Sequence, residues 1–286
     1  MAKDIQWFPG HMAKALREIS ERIKVVDIVI EICDARAPLS SINPELFNII
    51  KNKPRIMILS KKDLADENIN KSWLKYFEEK GYIALAMNLN KDNLEVIFNI
   101  SKVCLKEKIE KDKRRGLKPQ PIRALVVGIP NVGKSTFINK LAKRKAAKAG
   151  NMPGVTKSQQ WVKTDNIELL DTPGVLWPKF ESKDIGIKLA LIGTIKEEIL
   201  NNDDLSSLCI SFLTEYYPDY LKKRYDIENV DEFVFENIAK RRNLLLSNNR
   251  YDIEKAKYLL LKEFKEGIIG RVCVERPGVD YGVFRV

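Results

Sequence analysis

The octapeptide Gly128-Ile-Pro-Asn-Val-Gly133-Lys134-Ser135 spaces two glycines, a lysine and a hydroxyl as G-x-x-x-x-G-K-S. Glycines let the backbone turn tightly enough for several N–H groups to face one anion, and a helix beginning at the lysine adds its N-terminal dipole. A lysine so placed reaches the β- and γ-phosphates of a nucleoside triphosphate, while the next hydroxyl binds Mg²⁺. The pattern carries this meaning between a strand and a helix. Here the apolar run 123–127 precedes it and an amphipathic stretch, 134–143, follows. Asn131, Val132, Gly133, Lys134, Ser135 and Thr136 are therefore expected to wrap the phosphates. Lys134 is also expected to stabilise the charge that develops during phosphoryl transfer.

A second constellation lies downstream, where Asp171-Thr-Pro-Gly174 follows the apolar run 167–170. An acidic residue at that strand end holds Mg²⁺, usually through water, and the Gly174 N–H can register a γ-phosphate. Between the motifs, Pro153-Gly-Val-Thr156 lies in a polar stretch without regular period. Thr156 offers a hydroxyl that a γ-phosphate would order. The expected magnesium ligands are Ser135, Thr156 and Asp171. Many triphosphate hydrolases carry a water-orienting glutamine just after D-x-x-G, but here that residue is Val175. Valine cannot hydrogen-bond, so unassisted hydrolysis is expected to be slow, on the order of 10⁻⁴ s⁻¹.

Choice of base calls for an N-K-x-D element after a strand. The one good match, Ser60-Lys61-Lys62-Asp63, follows the run 55–59 and stands before the phosphate loop instead of after it. A carboxylate at Asp63 accepts from the N1–H and exocyclic amine of guanine, whereas adenine has no N1–H. On its residues alone the tetrapeptide reads equally well as a polar loop. The order makes sense in a circularly permuted chain, because in a doubly wound parallel sheet these loops all leave one edge.

The elements that hold the motifs follow from periodicity. Short β-rich runs at 27–33, 55–59, 83–87, 123–127, 160–164 and 167–170 alternate with amphipathic stretches at 12–24, 68–80, 92–108 and 134–143. This predicts an α/β fold with a mainly parallel sheet and helices on both faces. Residues 111–120, charged and then broken by Gly116 and Pro119, read as an exposed connector. Beyond Pro178, helical period replaces strands at 184–200, 203–217, 231–246 and 252–266, and the last three open with an aspartate suited to capping. A short extended tail is expected near 271–275. The expected division is a permuted nucleotide domain over 1–178 and an all-helical domain over 179–286. The Asp171–Gly174 loop leads directly into the helical part, so a γ-phosphate could reorient it as a hinge.

With 286 residues, 44% hydrophobic and 31% charged, the chain has the composition of a soluble globular protein of about two domains. No apolar run approaches the ~20 residues that span a bilayer. The first residues carry Lys3, Asp4, Lys14 and Arg17 with no apolar core, unlike a secretory signal. Cys33, Cys104, Cys209 and Cys273 form no C-x-x-C pair, which favours a reducing cytoplasm over a disulfide or zinc framework. Net charge is +11, and it is unevenly placed: residues 1–180 hold 33 basic and 20 acidic side chains, the remainder 17 and 19. The excess is densest at 106–118 and 134–148. A polyanionic partner follows, nucleic acid foremost, with salt-sensitive binding. Each run singly also reads as a solvated helix face.

In their order, Trp7-Phe-Pro-Gly-His-Met12, Asp34-Ala-Arg36 with Pro38, Ser60–Asp63, Gly128–Ser135, Pro153–Thr156 and Asp171–Gly174 resemble the circularly permuted YlqF/YawG family of GTPases. The motifs cover some two-thirds of the chain, and the helical part agrees by length and position. The resemblance implies a GTP hydrolase that binds GTP, GDP and Mg²⁺. Its base-contacting loops would be Ser60, Lys61, Lys62 and Asp63 together with Asn88 and Leu89. It further implies that His11, the only histidine, swings towards the γ-phosphate to orient water in a partner-bound state; on residue type alone a lone histidine is as often structural. Ser60 stands where the family has asparagine, so GTP preference is expected at weaker affinity. Asn131 resembles the side chain with which cation-dependent GTPases hold K⁺, and it also reads as a turn residue.

The implied partner is a precursor of the large ribosomal subunit with its rRNA. The leading expectation is a cytoplasmic, monomeric GTPase, with no membrane contact, that couples hydrolysis to a late assembly step and to its own release. Two other classes stay open: a GTP-dependent switch acting on a protein, and an RNA-binding scaffold with a structural nucleotide. Salt-sensitive subunit binding separates the first of these from the leading reading, and nucleotide-dependent release separates the second.

Overall fold

The computed structural model describes residues 9–143, 160–164, 166–177, 180, 182–195 and 202–280. Strands β1 (Ile28–Asp34), β2 (Arg55–Ser60), β3 (Ile83–Met87), β4 (Ile122–Val127), β5 (Gln160–Lys163) and β6 (Ile167–Asp171) form one sheet in the order β3-β2-β1-β4-β6-β5. All pairings are parallel except β5 with β6. The strand feeding the phosphate loop, β4, therefore sits between β1 and β6. Because β2, β3, β4 and β6 run in one direction, the loops at their C-terminal ends gather at one edge whatever their order along the chain.

The near-continuous apolar run of β1 lacks alternation, as a strand covered on both faces must, and all seven of its residues are buried. Alternate side chains divide between two layers. Val29, Leu125, Val127 and Leu170 pack with Ala15 and Ile19 of helix α1 (Pro9–Arg22) and Leu46 and Ile50 of α2 (Pro44–Ile50). Ile30, Ile58 and Val126 belong to the larger cluster with Trp73 and Phe77 of α3 (Glu67–Glu79) and Ile97 of α4 (Glu95–Cys104). Asp66 caps α3 by accepting from Asn68 and Ile69 N–H, and Asn43 caps α2 from Glu45 and Leu46.

Helical expectations are met with shifted ends. The stretch 92–108 divides into α4 and α5 (Lys106–Arg114) at buried Leu105. It starts later than its periodicity suggests because the Asp92 carboxylate accepts from Asn88 N–H and closes a turn. The supposed connector 111–120 is helical for its first four residues and ends at Gly116, whose φ of 73° suits glycine. Helix α6 (Lys134–Leu141) stands behind the phosphate loop, and beyond residue 178 come α7 (Lys183–Leu191), α8 (Asn202–Tyr216), α9 (Pro218–Tyr225), α10 (Val234–Arg241) and α11 (Ile253–Lys265). Helix α7 stops short of residue 200 because Gly193, at φ 75°, reverses the chain. Pro218 opens a separate helix, α9, that the periodicity did not announce. Asp252 caps α11 through Lys255 N–H, whereas Asp231 serves a turn at Phe233 N–H and leaves α10 uncapped.

Phe212, Leu260 and Phe264 share one buried cluster with the sheet, and the tail runs back across it. Val272 N–H donates to Leu64 O and Val274 N–H to Arg36 O. Among the described residues, no helix is long and apolar enough to cross a membrane.

Candidate nucleotide-binding site

The phosphate loop leaves β4 at Gly128, where φ is +146° and an added Cβ would lie 2.3 Å from Ile32 O. Only glycine lets the loop pass so close to β1. Asn131 and Gly133 also take positive φ, 59° and 102°, and Gly133 is the N-cap of α6. The loop thus curls over the first turn of α6, where Ser135 and Thr136 are half-buried. Lys134 is buried, and its ammonium donates to Ile129 O at 2.7 Å.

The D-x-x-G segment closes on this loop. A Cβ on Gly174 would stand 2.8 Å from Pro130 N and Cα and 2.9 Å from Lys134 Nζ. Thr172 Oγ1 donates to Val126 O at 2.7 Å and pins the segment to β4. Asp171 is fully buried with both carboxylate oxygens lacking a hydrogen-bond partner. Burial, partly opposed by Lys134, pushes its carboxyl up to about 6; burial likewise lowers the Lys134 ammonium to about 8, with Asp171 opposing. A buried carboxylate without donors fits a divalent cation, and Ser135, half-buried in the first turn of α6, offers a hydroxyl for the same role. Thr156 lies outside the described residues.

Ser60 ends β2 and is fully buried; its hydroxyl lies 2.7 Å from Val132 O and 2.9 Å from Cys33 O. The shorter side chain therefore still braces the phosphate loop from the base side. Ser60→Ala removes the one hydroxyl donor that these carbonyls share, at a cost of about 1–2 kcal/mol, and GDP and GTP affinities are expected to fall together by roughly tenfold in a direct binding titration. Lys61, at φ 57°, pairs through Nζ with Asp34 Oδ2 at 2.8 Å, and Lys62 pairs with Asp92 at 2.6 Å. Asp63 stands exposed on the turn. The loop after β3 lies beside it: Asn88 accepts from Asn90 and Lys91 N–H, and Leu89 Cδ1 reaches within 2.9 Å of where a Gly133 Cβ would be. Two loops from early in the chain therefore meet a phosphate loop from its middle.

Three contacts were not legible from motifs. Asn43 Nδ2 donates to Val175 O at 2.9 Å, Asn131 Nδ2 donates to Thr194 O at 3.2 Å, and Arg36 Nη2 donates to Asp34 Oδ2 at 2.8 Å in a buried network. The Asn43-Pro44 pair signals a helix cap, but nothing local signals its second task. The His11 side chain lies outside the described residues. The helix that carries it packs through Ala15 and Ile19 into the cluster containing Val175.

The profile of the family described as 50S ribosome-binding GTPase matches residues 123–248. It begins at β4, so Ser60–Asp63 falls ahead of the match, as permutation requires. The chain is 49% identical over 278 residues to "Ribosome biogenesis GTPase A" of Bacillus licheniformis, covering 96% of this chain and 98% of that one. The chain belongs to the YlqF family of ribosome biogenesis GTPases. Its likeness to the Thermotoga maritima "Ribosome biogenesis GTPase A" is 33% over 275 residues, covering 96% and 95% of the two chains. The crystal structure of GNP-bound YlqF from T. maritima superposes with a TM-score of 0.65 at 30% identity, over 93% of this chain and all of that one. The fold is accordingly that of a YlqF-type GTPase, α/β with a permuted phosphate-loop domain followed by helices, and GTP and GDP are its nucleotides.

Proposed function

We propose that this GTPase is an assembly factor that holds the maturing large ribosomal subunit and leaves it after hydrolysis at a late step. Residues 1–178 bind and cleave GTP, and residues 179–286 contribute to the grip on rRNA. The observation that carries the reading is the meeting, at one sheet edge, of a phosphate loop, a D-x-x-G segment and a guanine-type loop brought from earlier in a chain so like the Bacillus protein. Charge supports the polyanionic partner. Helix α5 buries none of its residues and presents most of its lysines and arginines to solvent. In the helical part, by contrast, Arg224 and Arg242 turn inward to Glu263, and Lys222 pairs with Glu228, so the basic side chains left to solvent there narrow to residues such as Lys223 and Lys240.

In this reading Lys134 leaves Ile129 O for the β- and γ-oxygens, the loop N–H groups hold the remaining phosphate charge, and Gly174 N–H meets the γ-phosphate. Mg²⁺, held by Ser135 and Asp171 with Thr156, would neutralise charge on the same oxygens. Val175 is buried and cannot orient water, so His11 does so once the subunit places the α1 N-terminus. His11→Ala is expected to abolish stimulated turnover while leaving nucleotide affinity intact; unchanged stimulation in a single-turnover assay removes His11 from the mechanism. The Asn131 amide N–H is engaged by Thr194, which leaves its carbonyl oxygen for K⁺ beside the phosphates. Turnover faster in KCl than in NaCl at equal ionic strength checks that role.

The protein acts as a monomer in the cytoplasm. Co-sedimentation of the full chain with large subunits tests the partner: binding with a non-hydrolysable GTP analogue, weakened by salt and lost with GDP, is the expected result. Binding indifferent to nucleotide would instead support a scaffold, and no binding a switch on a protein.

A further inference from the structure

Nucleotide chemistry gives Asp34-Ala-Arg36 no task, yet this segment forms a buried junction. Arg36 is 1% exposed and Asp34 fully buried. The guanidinium grips the Asp34 carboxylate in a fork, Nε to Oδ1 at 2.9 Å and Nη2 to Oδ2 at 2.8 Å. Its remaining donors reach the helical part: Nη2 to Ile192 O at 2.8 Å and Nη1 to Lys265 O at 2.9 Å. Those carbonyls end α7 and α11, where no intrahelical N–H is left to satisfy them and where the helix dipole is negative. On its other side, Asp34 Oδ2 accepts from Lys61 Nζ at 2.8 Å.

Lys61 is the second residue of the base-reading loop, in a left-handed conformation that a residue with a Cβ adopts only when something holds it. Its side chain is held by Asp34, which Arg36 orients, and Arg36 is oriented by two helix ends. The tail supplies a second, independent restraint on the same pair of segments, since Val274 N–H donates to Arg36 O and Val272 N–H to Leu64 O, one residue beyond Asp63. We propose that Arg36 is a positioning residue for guanine recognition, relaying the placement of α7 and α11 through Asp34 and Lys61 to the turn that presents Asp63. The proposal rests on the reading of Asp63 as the guanine acceptor. Lysine cannot replace this arginine, because a single ammonium cannot fork onto a carboxylate and still reach both helix ends.

The test is competition binding of GDP and ADP to the full chain in the wild type, Arg36→Lys, Lys61→Met, the double variant and Asp63→Asn. The preference for GDP over ADP is expected to fall at least about tenfold in each of the first two variants, ADP affinity staying within about twofold, and the double variant falling no further than the larger single effect. General damage to the fold would weaken both nucleotides together. Should Arg36→Lys fail to fold, Lys61→Met cuts the same path from its more exposed end. A wild-type preference in these variants, with Asp63→Asn destroying it, overturns the relay. A wild-type preference in Asp63→Asn overturns the reading of Asp63 itself.

Discussion

Gly174→Ala is expected to reduce subunit-stimulated GTP turnover by at least about a hundredfold, close to 2.7 kcal/mol of transition-state stabilisation. The cause is steric and local. A methyl group there would stand 2.8 Å from Pro130 N and Cα, inside contact distance of the phosphate-loop backbone, and 2.9 Å from the Lys134 ammonium. Neither backbone can give way cheaply, because Thr172 ties the segment to β4 and Gly128 ties the loop to β1. The Gly174 N–H, which in the proposed mechanism meets the γ-phosphate, would thereby be pushed out of line. GTP should lose its advantage over GDP in binding, while circular dichroism and GDP affinity report an intact fold. Wild-type turnover in this variant would show that Gly174 does not approach the γ-phosphate.

Asp63→Asn should change which base is read. In the proposed role the carboxylate would accept two hydrogen bonds from guanine, and charge-assisted bonds of this kind contribute about 1.5–3 kcal/mol each, so GTP affinity is expected to fall by two orders of magnitude or more. A carboxamide offers one acceptor and one donor, matching xanthine, which presents an N1–H beside a carbonyl. Xanthosine triphosphate should therefore bind the variant better than GTP does, the reverse of the wild type. Asp63 is well placed for this: it is exposed on its turn, flanked by Lys61 and Lys62, whose ammonium groups are engaged with Asp34 and Asp92. If GTP stays preferred, the base is read elsewhere.

What the sequence made legible divides along the range of the forces involved. Each of the six strands overlaps its expected run, four of them reaching one residue past it, because sheet burial is written in adjacent positions. The phosphate loop and the D-x-x-G segment were equally plain, since glycine at Gly128 and Gly174 answers a backbone approach that no other residue permits. Helix ends were less plain: Asp92 looked like part of a helix and is spent on a turn with Asn88, while Pro218 looked like an ending and is a beginning. Least legible were bonds between distant segments. Arg36 reaches carbonyls 156 and 229 positions away, and no local period encodes that. The substitution at Ser60 was read as a loss, yet its hydroxyl spans the gap to Val132 O because β2 runs close beneath the loop.

GTP hydrolysis by the purified full chain, alone and with large ribosomal subunits and with ATP as the control, is the most direct test of the proposed function. Slow turnover alone, strong acceleration by the subunit with GTP, and none with ATP are the results expected from a buried Val175 beside D-x-x-G and a guanine-reading Asp63. GTP bound but cleaved no faster in the presence of the subunit would contradict the proposed partner.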